Sequence, residues 1–376
     1  IPLAAPRLAH AAKFLFEGAD GRLHGVFVPG FPLFLAPFVR WDAFMLAGAT
    51  LSALMTVTHA ALARAATRDE LAARLSVLLT LPSFARAVEA ADLLSHPFVA
   101  AMSSASVALA LTIRERPTLG RMAALGVCVG WTVSARVLDG MVLAAVVAFA
   151  LADTLVRRRI PWRFALVAAL CALPFVALVP AQQRVATGHV RRPTSVEYAD
   201  RSDWPRNCLH LGFGKEVGCR VEHPDVKAEF GEDGFTPSDA LRASRDRMSV
   251  HGPEVFGVGL LVLVGYALVA LRPSFGALVT GLFPVLLTLT YGLFYFGNST
   301  IHGARHIFPA APFAATVIAQ GLTLAARQKA ERTREIAGAM LLALVALAVV
   351  AHPPRWRAGA RVTHDNQWSR LDLREL

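Results

Sequence analysis

The amino-acid sequence predicts an all-α fold: a polytopic bundle of about ten transmembrane helices with one extracytoplasmic insert of mixed or irregular structure. The chain is 55% hydrophobic and only 17% charged, whereas a soluble domain usually carries about 25% charged residues. Its apolar residues are gathered into long runs that approach the roughly 20 residues needed to cross a bilayer. Between these runs lies one polar stretch, Gln182–Gly252, in which eleven basic and eleven acidic residues balance. Together these observations indicate a membrane protein that holds one sizeable extramembrane segment.

The chain divides into four predicted segments. Residues 1–181 combine an amphipathic outer segment with transmembrane helices, and residues 182–252 form the extracytoplasmic insert. Residues 253–351 supply the C-terminal transmembrane helices, and residues 352–376 form a polar tail. The helical spacing of apolar residues in Ile1–Arg22 predicts a helix lying in the membrane interface or on an ordinary protein surface.

The next segment is rich in proline and glycine, and the predicted spans follow it. Pro29, Gly30 and Pro32 are expected to end any helix on their N-terminal side, and an apolar turn starts after them. The predicted spans are the apolar runs Ala43–Ala63, Leu71–Phe84, Pro97–Ile113, Leu119–Val133, Val137–Leu155, Phe164–Val179, Val255–Leu271, Phe275–Phe296, Ile307–Ala326 and Ile336–Val350.

The distribution of Lys and Arg predicts the orientation of the bundle. One alternating set of loops carries fifteen basic and six acidic residues, whereas the other set is close to neutral. Because cytoplasmic loops carry the excess of Lys and Arg, the basic set is predicted to be cytoplasmic. The insert and the Ile1–Phe27 segment are then extracytoplasmic, and the heavy use of Arg and Ala favours a bacterial inner membrane. No dense basic tract is interleaved with aromatic residues, so the net charge of +11 does not indicate a nucleic-acid partner.

The predicted outer location of Ile1 bears on the residues that precede it in the full-length protein. A bacterial inner-membrane protein starts inside, so a transmembrane helix is expected upstream of Ile1. A cleaved signal peptide would give the same topology.

The insert contains Cys208 and Cys219, and an oxidising compartment favours a disulfide between them. Two unpaired thiols are the alternative. Cys128 and Cys171 lie inside apolar runs and are interpreted as small hydrophobic residues.

Ionisable residues gather at four places on the predicted outer face, where charged groups are functional candidates by default. The four groups are Asp20 with Arg22 and His24, Asp92 with His96, Arg136 with Asp139, and His302 with Arg305 and His306. Each has a structural alternative, such as a local ion pair for Arg136 and Asp139, or side chains that reach toward lipid head groups for Arg305 and His306. The His and acidic residues of the insert form no metal-ligand pattern, although a divalent metal is left open.

Three segments resemble the GT-C membrane glycosyltransferases, a group that includes protein O-mannosyltransferases and lipid A aminoarabinose transferases. Gly25-Val-Phe-Val-Pro-Gly-Phe-Pro-Leu-Phe-Leu-Ala-Pro-Phe38 is similar to the signature G-x-x-x-P-P-G-Y-P-L-L-L-A that follows the first periplasmic loop. Ser134-Ala-Arg-Val-Leu-Asp-Gly140 resembles the T-R-P-x-G turn that opens a later helix. Gly303-Ala-Arg-His-Ile-Phe-Pro-Ala-Ala-Pro312 resembles the x-x-R-Y-x-x-P-x-x-P start of a late helix.

The resemblance implies an inverting transfer of sugar from a polyprenyl-phosphate donor to a lipid, glycan or protein acceptor on the outer face. By position it implies only that Arg136, Arg305 and His306 contact the donor phosphate. Asp139, His302, Asp92 and His96 are candidates for supporting roles because they belong to the same groups on the predicted outer face. The family's catalytic Asp belongs to the first outer loop, and it is expected upstream of Ile1. Asp20 and His24 are the candidates within the chain. The sequence departs from the signatures at Val28, Phe31 and Val137.

Two other functions stay open at the level of sequence. In the family that the sequence resembles, an acidic pair follows directly after the first transmembrane helix, and loss of that pair would leave a non-catalytic assembly or scaffold protein. A secondary transporter would also be polytopic, but no internal repeat is apparent and the charges lie at the outer rim rather than the midplane.

Overall fold

The computed structural model describes the chain as a helical protein with one small sheet. The described residues are 15–81, 83, 86, 93–157, 161–202, 212–215, 217, 234–250, 265, 269, 274–293 and 303–327. Within them lie eleven α-helices, two 3-10 turns and a two-stranded antiparallel sheet.

The elements follow one another along the chain in this order: β1 (Leu15–Glu17), β2 (Leu23–Gly25), α1 (Gly30–Arg40), α2 (Met45–Thr67), α3 (Glu70–Thr80), α4 (Ser95–Glu115), α5 (Leu119–Ala135), α6 (Val137–Val156), α7 (Trp162–Thr187), α8 (Thr194–Ser202), α9 (Pro237–Val250), α10 (Phe275–Gly292), the 3-10 turns Gly303–His306 and Phe308–Ala310, and α11 (Ala311–Ala326).

Six helical segments in the described part of the chain are long and apolar enough to cross a membrane. They are α2, α4, α6, α7, α10 and the segment Phe308–Ala326 that ends with α11. Helices α1 and α5 are apolar but shorter. The prediction of a polytopic helical membrane protein is therefore confirmed. Of the ten predicted runs, eight coincide with helices, while Ile336–Val350 and most of Val255–Leu271 lie outside the described residues.

The helix predicted over Ile1–Arg22 is wrong for residues 15–22, which enter a β-hairpin. Strands β1 and β2 pair in the register Phe16 with His24. The turn between them places Gly21 at φ 71°, a conformation that favours glycine. Phe16 is buried against Val26, Ala186 and Tyr198. This packing, together with the bond from Ala19 N to Ala186 O at 2.9 Å, overrides the helical spacing.

Helix α7 continues past Gln182, the expected first residue of the insert, and ends at Thr187. Gly188, at φ 76°, closes the helix in the left-handed conformation. The hairpin and α8 are tied to this end of the helix. Gln182 Nε2 donates to Phe27 O at 2.9 Å, and Thr194 Oγ1 donates to Val26 O at 2.6 Å.

The chain forms two compact units, each assembled from three stretches of sequence: 1–47, 105–246 and 285–298 in the first unit, and 48–104, 247–284 and 299–376 in the second. In the first unit α5 packs closely on α7, with Gly126 and Gly130 against the backbone of Ala168 and Ala172. In the second unit α11 is almost entirely buried, and Phe313 packs on Phe283 with ring centroids 4.4 Å apart.

Candidate functional site

The first group of candidate residues is built at the junction of α5 and α6. Arg136 is the single extended residue between the two helices, at φ −155° and ψ 103°. Its backbone N–H donates to Thr132 O at 2.8 Å and its carbonyl accepts from Gly140 N at 2.9 Å, so it caps both helices. Asp139 lies in the first turn of α6, where a negative charge complements the helix dipole.

Arg136 and Asp139 form a buried ion pair that a third residue completes. Arg136 Nε donates to Asp139 Oδ2 at 2.8 Å. The hydroxyl of Tyr291 donates to the same oxygen at 2.6 Å, and Arg136 Nη2 bonds the Tyr291 oxygen. Asp139 is 0% exposed, and its Oδ1 accepts no hydrogen bond within the described residues. The local ion pair that the sequence analysis gave as the structural alternative for Arg136 and Asp139 is thus present, in a cluster that also holds Tyr291.

Tyr291 was missed by the sequence analysis because it lies 152 residues from Asp139, in the run assigned to α10. A signal was present, since Tyr291 is one of only four tyrosines in the chain. A phenol inside an apolar helix usually needs a hydrogen-bond partner.

Two of the three segments that carry the family resemblance meet at this junction. Helix α1 begins at Gly30 within the Gly25–Phe38 segment, and a side-chain carbon on Gly30 would overlap Ser134 and the backbone of Ala135. Trp131 Nε1 donates to Gly30 O at 2.8 Å. The glycine therefore permits α1 to lie against the last turn of α5, directly before Arg136.

The second group lies in the other unit, where the 3-10 turn Gly303–His306 leads toward α11. His96 and His306 are buried, at 4% and 6% exposed. Their rings meet edge to face, with centroids 6.1 Å apart and an interplanar angle of 89°. Arg305 Nε lies 3.5 Å from His306 Nε2. Asp92 and His302, the other candidates for this neighbourhood, lie outside the described residues.

The third group is the pair in the β-hairpin. His24 Nε2 lies 2.7 Å from Asp20 Oδ1, which also accepts from Arg22 N at 3.1 Å. The hydrogen bond from His24 is the main reason that the pKa of Asp20 is below its ordinary value. Both side chains are partly exposed.

The described residues contain no group of three or more His, Cys, Asp and Glu side chains that could hold a metal ion. Cys128 and Cys171 are free thiols. Cys208 and Cys219 lie outside the described residues, and their disulfide stays a prediction.

Comparison with known proteins identifies the fold. No protein-family model matches the chain, and no curated protein matches it. Among solved structures, ArnT from Cupriavidus metallidurans bound to undecaprenyl phosphate is similar at 16% identity and a TM-score of 0.51, over 83% of this chain and 52% of that one. The archaeal oligosaccharyltransferase AglB from Archaeoglobus fulgidus, in complex with an inhibitory peptide and a dolichol-phosphate, is matched at 13% identity and a TM-score of 0.46, over 91% and 49%. The chain spans about half the length of both structures. The GT-C fold that the three sequence segments imply is therefore confirmed by the likeness to ArnT.

Proposed function

We propose that the protein is an integral membrane glycosyltransferase that moves a sugar from a polyprenyl-phosphate donor to an acceptor on the extracytoplasmic face of the bacterial inner membrane. The fold shared with ArnT, a protein solved with undecaprenyl phosphate, carries this proposal. The meeting of Gly30 with Ser134 supports it, because it joins two of the segments on which the family resemblance rests.

The proposed chemistry is an in-line displacement at the anomeric carbon of the donor sugar. A bond forms between that carbon and the acceptor atom, and the bond to the phosphate oxygen breaks. The polyprenyl phosphate leaves with the electron pair, and a base takes the acceptor's proton. The protein's main task is then to stabilise the negative charge that develops on the leaving phosphate.

Arg136, Arg305 and His306 are the proposed contacts to that phosphate, because guanidinium and imidazolium groups donate charge-assisted hydrogen bonds to phosphate oxygens. Asp139 and Tyr291 support Arg136 by fixing its guanidinium. His96 supports His306 through the ring contact. Asp20 and His24 are the proposed base within this chain, since the carboxylate orients the imidazole.

Donor binding by arginine variants tests the proposal. Arg305→Ala and Arg136→Ala should each weaken the binding of a polyprenyl phosphate by roughly tenfold or more, because each removes a charge-assisted hydrogen bond. The dissociation constant would be measured on the full chain in detergent. Arg191→Ala, which removes an exposed arginine, is the control. Unchanged affinity in both test variants would remove these residues from the donor site.

Because Arg136→Ala leaves Asp139 without its ionic partner, its folding has to be checked separately. Arg136→Lys keeps the positive charge, and thermal unfolding reports whether each variant is folded. A folded Arg136→Lys variant that binds donor as tightly as the wild type would show that charge alone, and not the guanidinium, is needed.

The paired state of Arg136 also fits the non-catalytic alternative, in which the ion pair is purely structural. The two functions differ in turnover. Release of free polyprenyl phosphate from a labelled donor, with sugar appearing on an acceptor, would support the enzyme. Binding of the lipid phosphate without transfer to lipid, glycan or protein acceptors would support the scaffold.

A further inference from the structure

Helix α1 carries its three phenylalanine rings on one side. Phe31 is buried, and Phe34 and Phe38, which are half-buried, follow it at helical spacing. The ring centroids of neighbouring members lie 5.9 and 5.4 Å apart. Gly30, at the start of the helix, lies against Ser134 in the last turn of α5. The phenylalanine side is therefore the side of α1 that the protein partly covers.

The opposite side of α1 and the corner that follows it are apolar and exposed. Leu33 and Val39 are exposed on the helix, and Trp41, Phe44 and Met45 are exposed at the corner, where 76% of Trp41 and 91% of Met45 is accessible. We call these five residues the corner patch, and all of them lie in the first unit. A group of large apolar side chains that a protein leaves uncovered marks an interaction surface.

The length of α1 and the residues at its two ends decide how it can meet a membrane. Its eleven residues span about 16 Å, whereas the hydrocarbon core of a bilayer is about 30 Å thick. The hairpin before the helix exposes Glu17, Asp20 and Arg22, and Arg40 and Asp42 are exposed after it. Because charged groups at both ends stay in water or among lipid head groups, the helix lies along the interface and does not point into the hydrocarbon.

The corner patch continues into a surface that already belongs to the membrane. Helix α2 begins at Met45 and is one of the helical segments long and apolar enough to cross a bilayer. Tryptophan is enriched at the level of the head groups, where Trp41 would lie, and the side chain of Arg40 can reach lipid phosphates. Lipid is therefore the partner that the position of the patch favours over water or a second protein.

We propose that α1 lies in the plane of the membrane interface, with the corner patch inserted among the lipids of the extracytoplasmic leaflet. The leaflet follows from the predicted orientation of the loops. The inference concerns the placement of the protein in the bilayer and does not depend on the proposed sugar transfer. It would bring Arg136 close to the depth of the lipid phosphates, because Gly30 lies against the residues directly before Arg136.

Spin labels on the exposed side of α1 test this placement. In the full chain with its four cysteines replaced by serine, Leu33→Cys and Val39→Cys would be labelled in vesicles of phosphatidylcholine and phosphatidylglycerol. The accessibility of each label to oxygen, relative to a water-soluble nickel chelate, reports its depth. Lys215→Cys, exposed in the insert, is the reference for water, and Leu173→Cys, exposed near the middle of α7, is the reference for hydrocarbon.

Both labels on α1 should give an accessibility ratio between the two references, because an interfacial helix buries its apolar side only about 5–10 Å deep. Their depths should also agree to within roughly one helical turn, about 5 Å. A helix that entered the membrane end-on would separate positions 33 and 39 by about 9 Å, six residues at about 1.5 Å each.

Fluorescence of the protein with its native cysteines provides a second measurement. Trp41→Phe removes one of six tryptophans, and its quenching would be compared with that of the wild type in lipids brominated near the head group or near the chain ends. The variant should lose part of the quenching by the shallow bromines and none of the quenching by the deep ones. Equal quenching of the two proteins by shallow bromines would contradict insertion of Trp41.

Three results from the spin labels would overturn the proposal. Ratios equal to that of position 215 would place the corner patch in water, and ratios equal to that of position 173 would place α1 inside the hydrocarbon. Labels that neither oxygen nor the nickel chelate reaches would show that protein, such as a second copy of the chain, covers the patch. None of these results would bear on turnover, by which the proposed transfer is judged.

Discussion

At the scale of single residues, the cluster of Arg136, Asp139 and Tyr291 shows which contacts a sequence can predict and which it cannot. The pair Arg136 and Asp139 is local, three residues apart, and the sequence placed it correctly at the start of a helix. Tyr291 joins the pair from a distant run, and only tertiary packing brings its hydroxyl to Asp139. His59 is a second example. The sequence analysis did not single it out inside its apolar run, and its hydrogen-bond partners in α3 and α11 are brought to it only by folding of the second unit.

The buried ion pair predicts an order of stabilities among three variants. Asp139→Asn should destabilise the protein by about 3–5 kcal/mol, because it removes the carboxylate that pairs with the buried guanidinium of Arg136. Tyr291→Phe should cost about 1.5–3 kcal/mol, because it removes a hydrogen-bonding group from two charged partners. Thermal or denaturant unfolding in detergent measures both. The double variant Arg136→Met with Asp139→Leu should recover part of the Asp139→Asn loss. A smaller effect for Asp139→Asn than for Tyr291→Phe would contradict this account of the cluster.

At the scale of elements, the corner between α2 and α3 shows local signals that agree with the fold. Asp69 caps α3 by accepting from Leu71 N and Ala72 N, as expected for an acidic residue before a helix. Arg68 occupies the left-handed region at φ 54° and turns the chain. Glu70 then accepts hydrogen bonds from Arg64 and Arg74.

The two arginines that donate to Glu70 predict that the stability of the protein depends on pH. Hydrogen bonds from Arg64 and Arg74 lower the pKa of Glu70 from 4.5 to about 2. A carboxyl with a lowered folded-state pKa stabilises the fold above its unfolded pKa, and that contribution is lost as pH falls through the folded value. The gap in unfolding temperature between wild type and Glu70→Gln should be constant from pH 7 to about 5 and should narrow as pH falls from 4.5 to about 2. High salt should shrink the gap at neutral pH, because the group is exposed. A gap that widens on acidification would contradict the assignment.

The contact between α5 and α7 depends on glycine at two positions, as is common where membrane helices approach closely. A side-chain carbon on Gly126 would overlap the carbonyl of Ala168, whereas one on Gly120 of the same helix would meet nothing. Gly126→Ala should therefore destabilise the protein by about 1–3 kcal/mol. Gly120→Ala, the matched control, should be neutral or slightly stabilising. Equal unfolding temperatures for the two variants would show that the helices can separate without cost.

The hairpin is the element on which sequence reasoning failed. The apolar residues of Ile1–Arg22 have helical spacing, yet residues 15–25 pair as strands. The turn glycines and the docking of Phe16 on Ala186 and Tyr198 decide the outcome, and that docking partner is about 170 residues away. A short segment follows its tertiary contacts when its own propensity is weak.

At the scale of the whole molecule, hydrophobicity predicted the apolar helices that the described part of the chain contains. Run length is a direct consequence of bilayer thickness, so the spans could be read from one sequence. The pairing of helices within each unit could not be predicted from one sequence, because apolar helix faces are interchangeable and do not specify which helix packs on which. Two of the segments with the family resemblance meet at Gly30 and Ser134, a contact that the sequence analysis did not predict. The sugar and the acceptor of the proposed transfer would depend on the shape of a site, which no local pattern encodes.

The asymmetry of basic residues predicts which face each loop occupies, and cysteine labelling tests it. In a variant with the four native cysteines replaced by serine, a single cysteine would be placed at Lys215, in the insert, or at Arg116, in the loop after α4. Both positions are exposed. A membrane-impermeant maleimide applied to intact spheroplasts should label the cysteine at position 215 at once, and the cysteine at 116 only after lysis, because Arg-rich loops stay cytoplasmic. The double variant with both cysteines serves as an internal reference. The reverse pattern would place the insert in the cytosol, and an extracytoplasmic transfer from a polyprenyl-phosphate donor would then have no support from topology.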